Sequence, residues 1–327
     1  MRQLDFCGPA GRLSRALSTL AKLPRFARAR SLWALNLALD RLETGVADGG
    51  ASPLQHPPIF VVGPPRTGST LLYQLLVHRF DLGYLSNRHC RLYGAPSLVE
   101  RRRHPHPTVE FTSRYGRTRG PDAPSECGEY WYRFFRRSPQ YVPLEEMPER
   151  QRRRLRASAR GLGNAAGRPL VFKNLICALR LEPIQAALPE AVFVHIKREL
   201  EPTAVSLLAG RKALFGDYAH WWSSEPPEID RFRALPAHEQ VVEQIRSIDR
   251  LIDHGRAKIG EKRFCELSYE RLCEDVEAAL QAVAALAERN GFELTPRQPV
   301  PPSFEPSTPQ QIDPALHEQL LAYTSRS

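Results

Sequence analysis

The sequence has no run of about eighteen apolar residues, so it predicts no transmembrane helix. Its amino terminus lacks a continuous apolar stretch followed by a small-residue cleavage site, which argues against secretion. Its six cysteines are scattered without C-x-x-C spacing, and this excludes an obvious zinc site or disulfide framework. We therefore expect reduced thiols and a cytoplasmic protein.

Lysine is scarce, with six lysines beside forty arginines, and the formal net charge is +10. Residues 101–160 hold fifteen arginines against seven acidic residues, so much of the excess charge is local. Such a segment attracts anionic partners, among them a nucleotide, an acidic acceptor, nucleic acid or an acidic lipid surface. A solvated basic helix face is the more frequent explanation of arginine runs, and we favour it for most of these residues.

One stretch carries the main functional signal. A β-branched and aromatic run at 59–62 precedes a loop bounded by Gly63 and Gly68, and leucines at helical spacing follow from Leu71. This pattern predicts a strand, a loop and a helix that begins near Ser69 or Thr70. The first N–H groups of such a helix have no intrahelical partner and lie at the positive end of its dipole, so they bind a phosphate or a sulfate. The alternative is an ordinary glycine turn.

The loop also lacks the lysine of a nucleotide-binding P-loop. Gly63 and Gly68 have the P-loop spacing, but Ser69 stands where the lysine that reaches the β- and γ-phosphates is found. Arg66 is the only cation in the loop. An NTPase or a P-loop kinase needs that phosphate-bridging lysine, so the loop predicts an anion site for different chemistry.

Strand and helix patterns alternate along the middle of the chain. Strands are predicted at 59–62, 170–172, 191–196 and 264–267, and helices at 70–78, 127–135, 149–160, 181–188, 203–212 (opened by Pro202), 236–258 and 275–290. This order predicts right-handed parallel crossovers with ligands at the carboxyl ends of the strands. The predicted fold class is therefore α/β, a P-loop-like three-layer fold with a central parallel sheet flanked by helices. Arg66, Lys173 and Arg198 all follow strand ends.

Three segments are predicted along the chain. Residues 1–57 form an N-terminal helical extension, residues 58–290 an α/β domain with a substrate-side insertion at 81–165, and residues 291–327 a C-terminal wrap on the surface. In the extension, Leu13, Leu17 and Leu20 share one helix face and basic residues occupy the other. Such a helix binds a membrane peripherally or docks on the protein's own core, and docking is the interpretation that we favour.

The motifs resemble those of the sulfotransferases that use 3′-phosphoadenosine-5′-phosphosulfate (PAPS), bacterial members above all. The loop at 63–72 is similar to the family's 5′-phosphosulfate loop, and the segment 192–198, followed eight residues later by Ser206, resembles its 3′-phosphate motif. The segment 267–272 looks like its Tyr-Glu-x-Leu segment, whose tyrosine assists nucleotide binding. The resemblance implies that the donor is held by Arg66, Thr67, Gly68, Ser69, Thr70, Arg198, Ser206 and Tyr269.

Two features depart from the family pattern. Leu200 stands where many relatives have proline, and no nucleotide loop of the Arg-Lys-Gly type is found near the carboxyl terminus. The contacts to the adenosine end of the donor therefore stay open.

The resemblance implies transfer of a sulfuryl group from PAPS to a hydroxyl or an amine of an acceptor, such as a carbohydrate or a glycolipid. Lys173 resembles a lysine so placed in related enzymes and is the candidate for stabilising the leaving oxygen. Family members use histidine or glutamate as the general base, and Glu126, ranked slightly ahead, and His89 both lie in the expected substrate wall. Glu129 is either another candidate base or a partner of Arg133.

No metal is expected, because a sulfuryl group carries less charge than a γ-phosphoryl group and no strand is followed by an obvious magnesium carboxylate. His195 lies within a predicted buried strand and is expected to be a core residue. No specific nucleic-acid partner is expected. Two other classes are left open, a nucleotide or nucleic-acid binding protein without catalysis and a P-loop kinase.

Overall fold

The computed structural model describes residues 25–48, 54–102, 109–112, 116–308 and 311–325. The predicted leucine face of Leu13, Leu17 and Leu20 lies outside these ranges. Within them, no helix has the length and the apolar content that a membrane span needs.

A parallel sheet of five strands forms the centre of the fold. The strands are β1 (Ile59–Val62), β2 (Gly83–Tyr84), β3 (Leu170–Lys173), β4 (Val192–Lys197) and β5 (Phe264–Ser268), and their order in the sheet is β2-β3-β1-β4-β5. Every neighbouring pair is parallel, and Val61 of β1 lies opposite both Lys173 and Val194. The predicted α/β fold with a central parallel sheet is confirmed. Strand β2 was not predicted, because two residues are too few for a period.

Thirteen α-helices are assigned within the described ranges. They are α1 (Arg25–Asp48), α2 (Ser69–Arg79), α3 (Asn87–Arg91), α4 (Pro96–Glu100), α5 (Gly128–Trp131), α6 (Glu149–Ala166), α7 (Leu181–Ala187), α8 (Leu200–Phe215), α9 (Ile229–Arg233), α10 (Ala237–Ile259), α11 (Tyr269–Glu274), α12 (Val276–Arg289) and α13 (Pro314–Thr324). Short 3₁₀ helices lie at Leu144–Glu146, Leu175–Leu179 and Glu261–Arg263.

Alternate residues of each strand pack on opposite faces of the sheet. Phe60, Phe172 and Phe193 form an aromatic row that packs with apolar residues of α6, α7 and α10. Ile59 and Val61 point the other way and pack with α2 and α12. Each fully buried side chain of this size contributes about 1.5–3 kcal/mol. The result is the predicted three-layer arrangement of helices on both faces of the sheet.

Three helices differ from their predicted bounds by more than one residue, and one of them, α6, continues six residues beyond the predicted end at 160 to Ala166. The predicted aromatic helix at 127–135 contracts to the single turn α5, although Tyr130, Trp131 and Phe134 are buried as expected. Helix α8 begins at Leu200, two residues before Pro202. Proline is tolerated there because the N–H groups of the first helical turn have no intrahelical acceptor.

The described part of the N-terminal extension docks on the protein. In α1, the Asn36 side chain donates to the carbonyl of Arg91 at 3.0 Å and accepts from the N–H of Gly94 at 2.8 Å. Asp40 pairs with Arg133 at 2.6 Å and with Arg154 at 2.5 Å. Polar contacts therefore attach this part of the extension to the protein, and the docking of the leucine face stays a prediction.

Candidate functional site

The loop between β1 and α2 presents the start of a helix to a cavity. Helix α2 begins at Ser69, as predicted, and Gly68 at its N-cap has a left-handed backbone (φ 81°). No side chain caps the first turn. Its N–H groups are therefore available to an anion at the positive end of the helix dipole.

Gly68 is packed directly against an aromatic ring. A Cβ atom built at this position would lie 2.1 Å from Cδ2 of Tyr269, the first residue of α11. Both the left-handed backbone and the close approach of the ring require glycine here. Tyr269 thereby fixes the position of the loop from the side of β5.

A cavity of about 400 Å³ opens at the carboxyl ends of the strands. It is lined by Pro65, Arg66, Gly68, Ser69, Thr70, Leu71, Gln74, Phe111, Thr112, Gly116, Glu126, Lys173, Leu175, Arg198, Trp222, Ser223, Tyr269, Phe304, Glu305 and Ser307. The cations of this lining are those that the sequence places at the end of β3 and just after β1 and β4. Their convergence follows from the topology, since parallel strands bring their carboxyl ends to the same edge.

Lys173 lies at the floor of the cavity and is 3% exposed. Its ammonium group donates a hydrogen bond to the carboxylate Oε1 of Glu126 and lies 3.3 Å from the hydroxyl of Thr70. Removing an ammonium group from water is costly unless a carboxylate and hydroxyl groups replace the lost solvent. The pair of Lys173 and Glu126 satisfies that requirement and places an acid–base group beside a fixed cation.

The residue after Lys173 holds the backbone of Glu126. The Asn174 side chain donates to the carbonyl of Glu126 at 3.0 Å, and its oxygen accepts from the N–H of Ile176 at 3.0 Å. The end of β3 therefore positions both partners of the ion pair, one through its own side chain and the other through the neighbouring amide.

Arg66 and Ser206 contact each other across the cavity rim. Arg66 has a left-handed backbone (φ 72°), which is strained for a residue with a Cβ, and its Nε donates to the hydroxyl of Ser206 at 2.9 Å. This contact joins the β1 loop to α8. The hydroxyl of Ser206 is thereby held beside the guanidinium group of Arg66.

Arg198 lies on the other side of the loop, over the ring of Tyr269 at 4.5 Å. It donates to the carbonyl of Ser307 at 2.7 Å and approaches the carbonyl of Arg66 at 3.3 Å. The N–H of Ser307 donates to the Tyr269 hydroxyl at 2.9 Å. The segment predicted to be only a surface wrap therefore borders the cavity.

Most of the predicted site residues meet at this cavity. Eight of them line it, and they are Arg66, Gly68, Ser69, Thr70, Glu126, Lys173, Arg198 and Tyr269. Ser206 is joined to the lining through Arg66. Thr67 is buried, and its hydroxyl donates to the carbonyl of Pro64 at 2.9 Å, so its side chain stabilises the loop.

His89 does not lie at the cavity. It is 0% exposed within α3, where its Nδ1 accepts from the N–H of Ser86 at 3.0 Å. Its Nε2 lies 3.5 Å from the carboxylate of Glu100. Because Glu126 contacts Lys173 and His89 caps a helix in the interior, the geometry separates the two candidate bases.

Glu129 and His195 both lie outside the cavity lining. Glu129 pairs with Arg137 on the surface, while Arg133 pairs with Asp40. The suggested contact between Glu129 and Arg133 is therefore wrong. His195 is buried in β4, as expected.

One group of side chains in the described ranges has the composition of a metal site. The ligand atoms of His195, Asp253 and Glu266 lie within 4.8 Å of one another. The ammonium group of Lys197 forms ion pairs with both carboxylates of this group, at 3.0 Å from Glu266 and 3.8 Å from Asp253. None of these residues lines the cavity.

Sequence reasoning missed the aromatic and C-terminal parts of the lining. Phe111, Trp222, Phe304 and Ser307 come from irregular segments far apart in the chain. Such segments have no period that would predict where they pack. For Phe111 the sequence signal was the weak one of a long loop in a compact α/β domain, which is often part of a binding wall.

A model of the sulfotransferase family matches residues 57–292, and the chain belongs to that family. The omega-hydroxy-beta-dihydromenaquinone-9 sulfotransferases Stf3 of Mycobacterium bovis and Mycobacterium tuberculosis are each 28% identical over 271 residues. That alignment covers 73% of this chain and 62% of each relative. The chain thus matches less than two thirds of the length of these relatives.

A solved structure agrees with the fold. Sulfotransferase STF9 from Mycobacterium avium superposes with a TM-score of 0.51 at 17% identity, over 96% of this chain and 81% of that one. At this identity the comparison supports the P-loop-like sulfotransferase fold and nothing finer.

The packing of Gly68 generates a stability prediction. Gly68→Ala forces a Cβ into the Tyr269 ring and a side chain into left-handed backbone, so unfolding free energy should fall by about 3 kcal/mol. Gly120→Ala is the matched control, because Gly120 also has positive φ (90°) but has nothing within 4 Å of its Cβ position. We expect about 1 kcal/mol for the control in urea unfolding. Equal losses would contradict the close packing.

Proposed function

We propose that the protein is a sulfotransferase that moves a sulfuryl group from PAPS to a hydroxyl or an amine of an acceptor. The observation that carries the proposal is the convergence of Arg66, Lys173 and Arg198 on the exposed start of α2, in a cavity that also contains Glu126. Membership of the sulfotransferase family also supports this proposal.

The donor set fits a nucleotide with two separate anionic ends. The amides of 68–70 and the guanidinium of Arg66 suit the 5′-phosphosulfate. Arg198 and the hydroxyl group of Ser307 line the neighbouring space. Together with Ser206, which is joined to the lining through Arg66, they suit the 3′-phosphate. A nucleoside triphosphate has no 3′-phosphate, so a second cationic position beside the loop favours PAPS over ATP.

The chemistry assigned to the protein is positioning and charge stabilisation. Lys173 is fixed by Glu126 and Thr70, and its ammonium group stabilises negative charge that develops on the leaving oxygen. Glu126 accepts the proton of the acceptor group as general base. We assign no catalytic role to His89, because it is buried away from the cavity.

The cavity wall suggests the kind of acceptor. Phe111, Trp222 and Phe304 contribute aromatic surface to the lining. This surface favours an acceptor with an apolar or planar body that carries the hydroxyl or amine. The Stf3 relatives are named for omega-hydroxy-beta-dihydromenaquinone-9, a compound of this kind.

Donor binding gives the first prediction of the proposal. At about 100 times its dissociation constant, 3′-phosphoadenosine-5′-phosphate should stabilise the protein by about 2.7 kcal/mol and raise Tm by about 5 °C. ATP with Mg²⁺ should do little. Arg198→Ala should weaken the nucleotide by about 30-fold, because it removes a charge-assisted contact. Arg271→Ala, an exposed arginine on α11, is the control.

Thermal shift and titration calorimetry measure this effect. An equal response to ATP that survives Arg198→Ala would exclude a PAPS site and would favour the kinase alternative.

Lys173→Ala should lower kcat by about 10³-fold, because a fixed charge at the leaving oxygen is lost. Nucleotide affinity should stay within about tenfold of the wild type, and this binding also reports that the variant is folded. Lys212→Ala, at an exposed position on α8, should leave kcat unchanged. Single-turnover transfer from PAPS is the measurement, and near-normal turnover of the Lys173 variant would remove this residue from the mechanism.

Glu126→Gln should slow the chemical step by about 10²-fold or more, because the amide cannot accept the acceptor's proton. Glu129→Gln is a close control, since this carboxylate lies three residues further along and pairs with Arg137 outside the cavity. The comparison is made in rapid-quench experiments at saturating donor. If both variants react at the wild-type rate, Glu126 is not the base.

A further inference from the structure

Two cysteines meet directly behind the loop that carries Glu126. Cys90 lies on α3, and Cys127 precedes α5. Their two segments are joined by an antiparallel bridge between Ser86 and Pro124 and by a hydrogen bond from the N–H of Ser125 to the carbonyl of Leu85 at 2.8 Å. The Cys90 sulfur also lies 3.0 Å from the hydroxyl of Ser125, two residues before Cys127. This pair lies outside the roles assigned above.

The surroundings of Cys90 stabilise a thiolate. The pKa of the Cys90 thiol is lowered to about 7, and the Cys127 side chain is the largest cause. The Ser125 hydroxyl and the backbone N–H groups of Cys127 and Cys90 lower this pKa further, whereas partial burial opposes the shift. The thiolate is the nucleophilic form of cysteine, and hydrogen-bond donors around the sulfur favour this form.

Cys127 has the complementary properties. It is 3% exposed, and burial raises the pKa of its thiol well above the ordinary value. It therefore stays protonated while Cys90 is partly ionised and partly exposed. One attacking and one resolving thiol on paired segments are the composition of a thiol redox site.

We propose that Cys90 and Cys127 form a redox modification site that a hydroperoxide converts to a disulfide. The Cys90 thiolate attacks the peroxide oxygen and breaks the O–O bond, which gives a sulfenic acid and, with hydrogen peroxide, hydroxide. The Cys127 sulfur then attacks the sulfenic sulfur, expels hydroxide and gives up its proton. In sum, two thiols lose two electrons and hydrogen peroxide becomes two waters.

The site is coupled to the cavity through the chain itself. Cys127 is the residue after Glu126, and its backbone is left-handed (φ 43°), a strained conformation for a residue with a Cβ. Drawing its sulfur into a covalent bond moves this backbone, while Asn174 and Lys173 hold Glu126 from the other side. Oxidation should therefore displace Glu126 from Lys173.

The test for the modification does not depend on sulfuryl transfer. The full chain is treated with a small excess of hydrogen peroxide, its free thiols are titrated, and its disulfide peptides are mapped by mass spectrometry. We expect loss of two of the six thiols and one linked peptide pair that contains Cys90 and Cys127. Cys90→Ser should prevent the loss, and Cys265→Ser, at a partly buried cysteine whose pKa is raised by burial, should not.

Alkylation provides a second measurement on the untreated protein. Iodoacetamide at neutral pH should modify Cys90 roughly threefold or more faster than Cys265, since the larger thiolate fraction outweighs the lower nucleophilicity of a less basic sulfur. Slower reaction at Cys90, or a disulfide map without the pair, would overturn the proposed site.

A third measurement rests on the proposed function. The oxidised protein should transfer sulfuryl groups at least about tenfold more slowly, and dithiothreitol should restore the rate. If the disulfide forms and the rate is unchanged, the coupling to Glu126 is wrong. If the unoxidised protein shows no transfer from PAPS, the proposed function fails and the disulfide map still decides the redox site.

Discussion

The burial of one ammonium group constrains the rest of this structure. Lys173 ends the strand next to β1 and is almost entirely removed from water, so the fold has to supply a carboxylate and polar atoms around it. Thr70 comes from the first turn of α2, and Glu126 comes from the middle of the insertion at 81–165. The path of that insertion is thereby fixed at the point where it returns to the sheet, and the amide of Asn174 secures the return.

The same constraint explains why the central part of the fold could be predicted. Strand segments such as 59–62 and 170–172 are continuous apolar runs because helices cover both faces of the sheet, and cations at or just after the strand ends fall at one edge by topology. Sequence reasoning thus found Arg66, Lys173 and Arg198 without any knowledge of contacts. The two-residue strand β2 was not predicted, and the length of α5 was overestimated. Tertiary packing sets the conformation of both segments.

The choice between Glu126 and His89 was beyond the sequence because both residues lie in the insertion, where no period orients a side chain. One signal was available. Ser86 stands three residues before His89, which is the spacing of a helix-capping pair, and both reciprocal contacts of that pair are present. Ser307 carried no comparable signal. Its contact with Arg198 spans more than a hundred residues of chain, and the segment that brings Ser307 to Tyr269 has no period.

The position of Ser307 also bears on how the protein is made. The loop at 63–68 leaves the ribosome early, whereas the segment that packs against Arg198 and Tyr269 is synthesised more than two hundred residues later. Until this segment has been synthesised, Arg198 and Tyr269 lack their contacts with Ser307, and the anion pocket beside the loop and α2 is incomplete. A nascent chain that stops before residue 304 lacks this wall of the cavity. The cavity is therefore complete only after Ser307 has been synthesised.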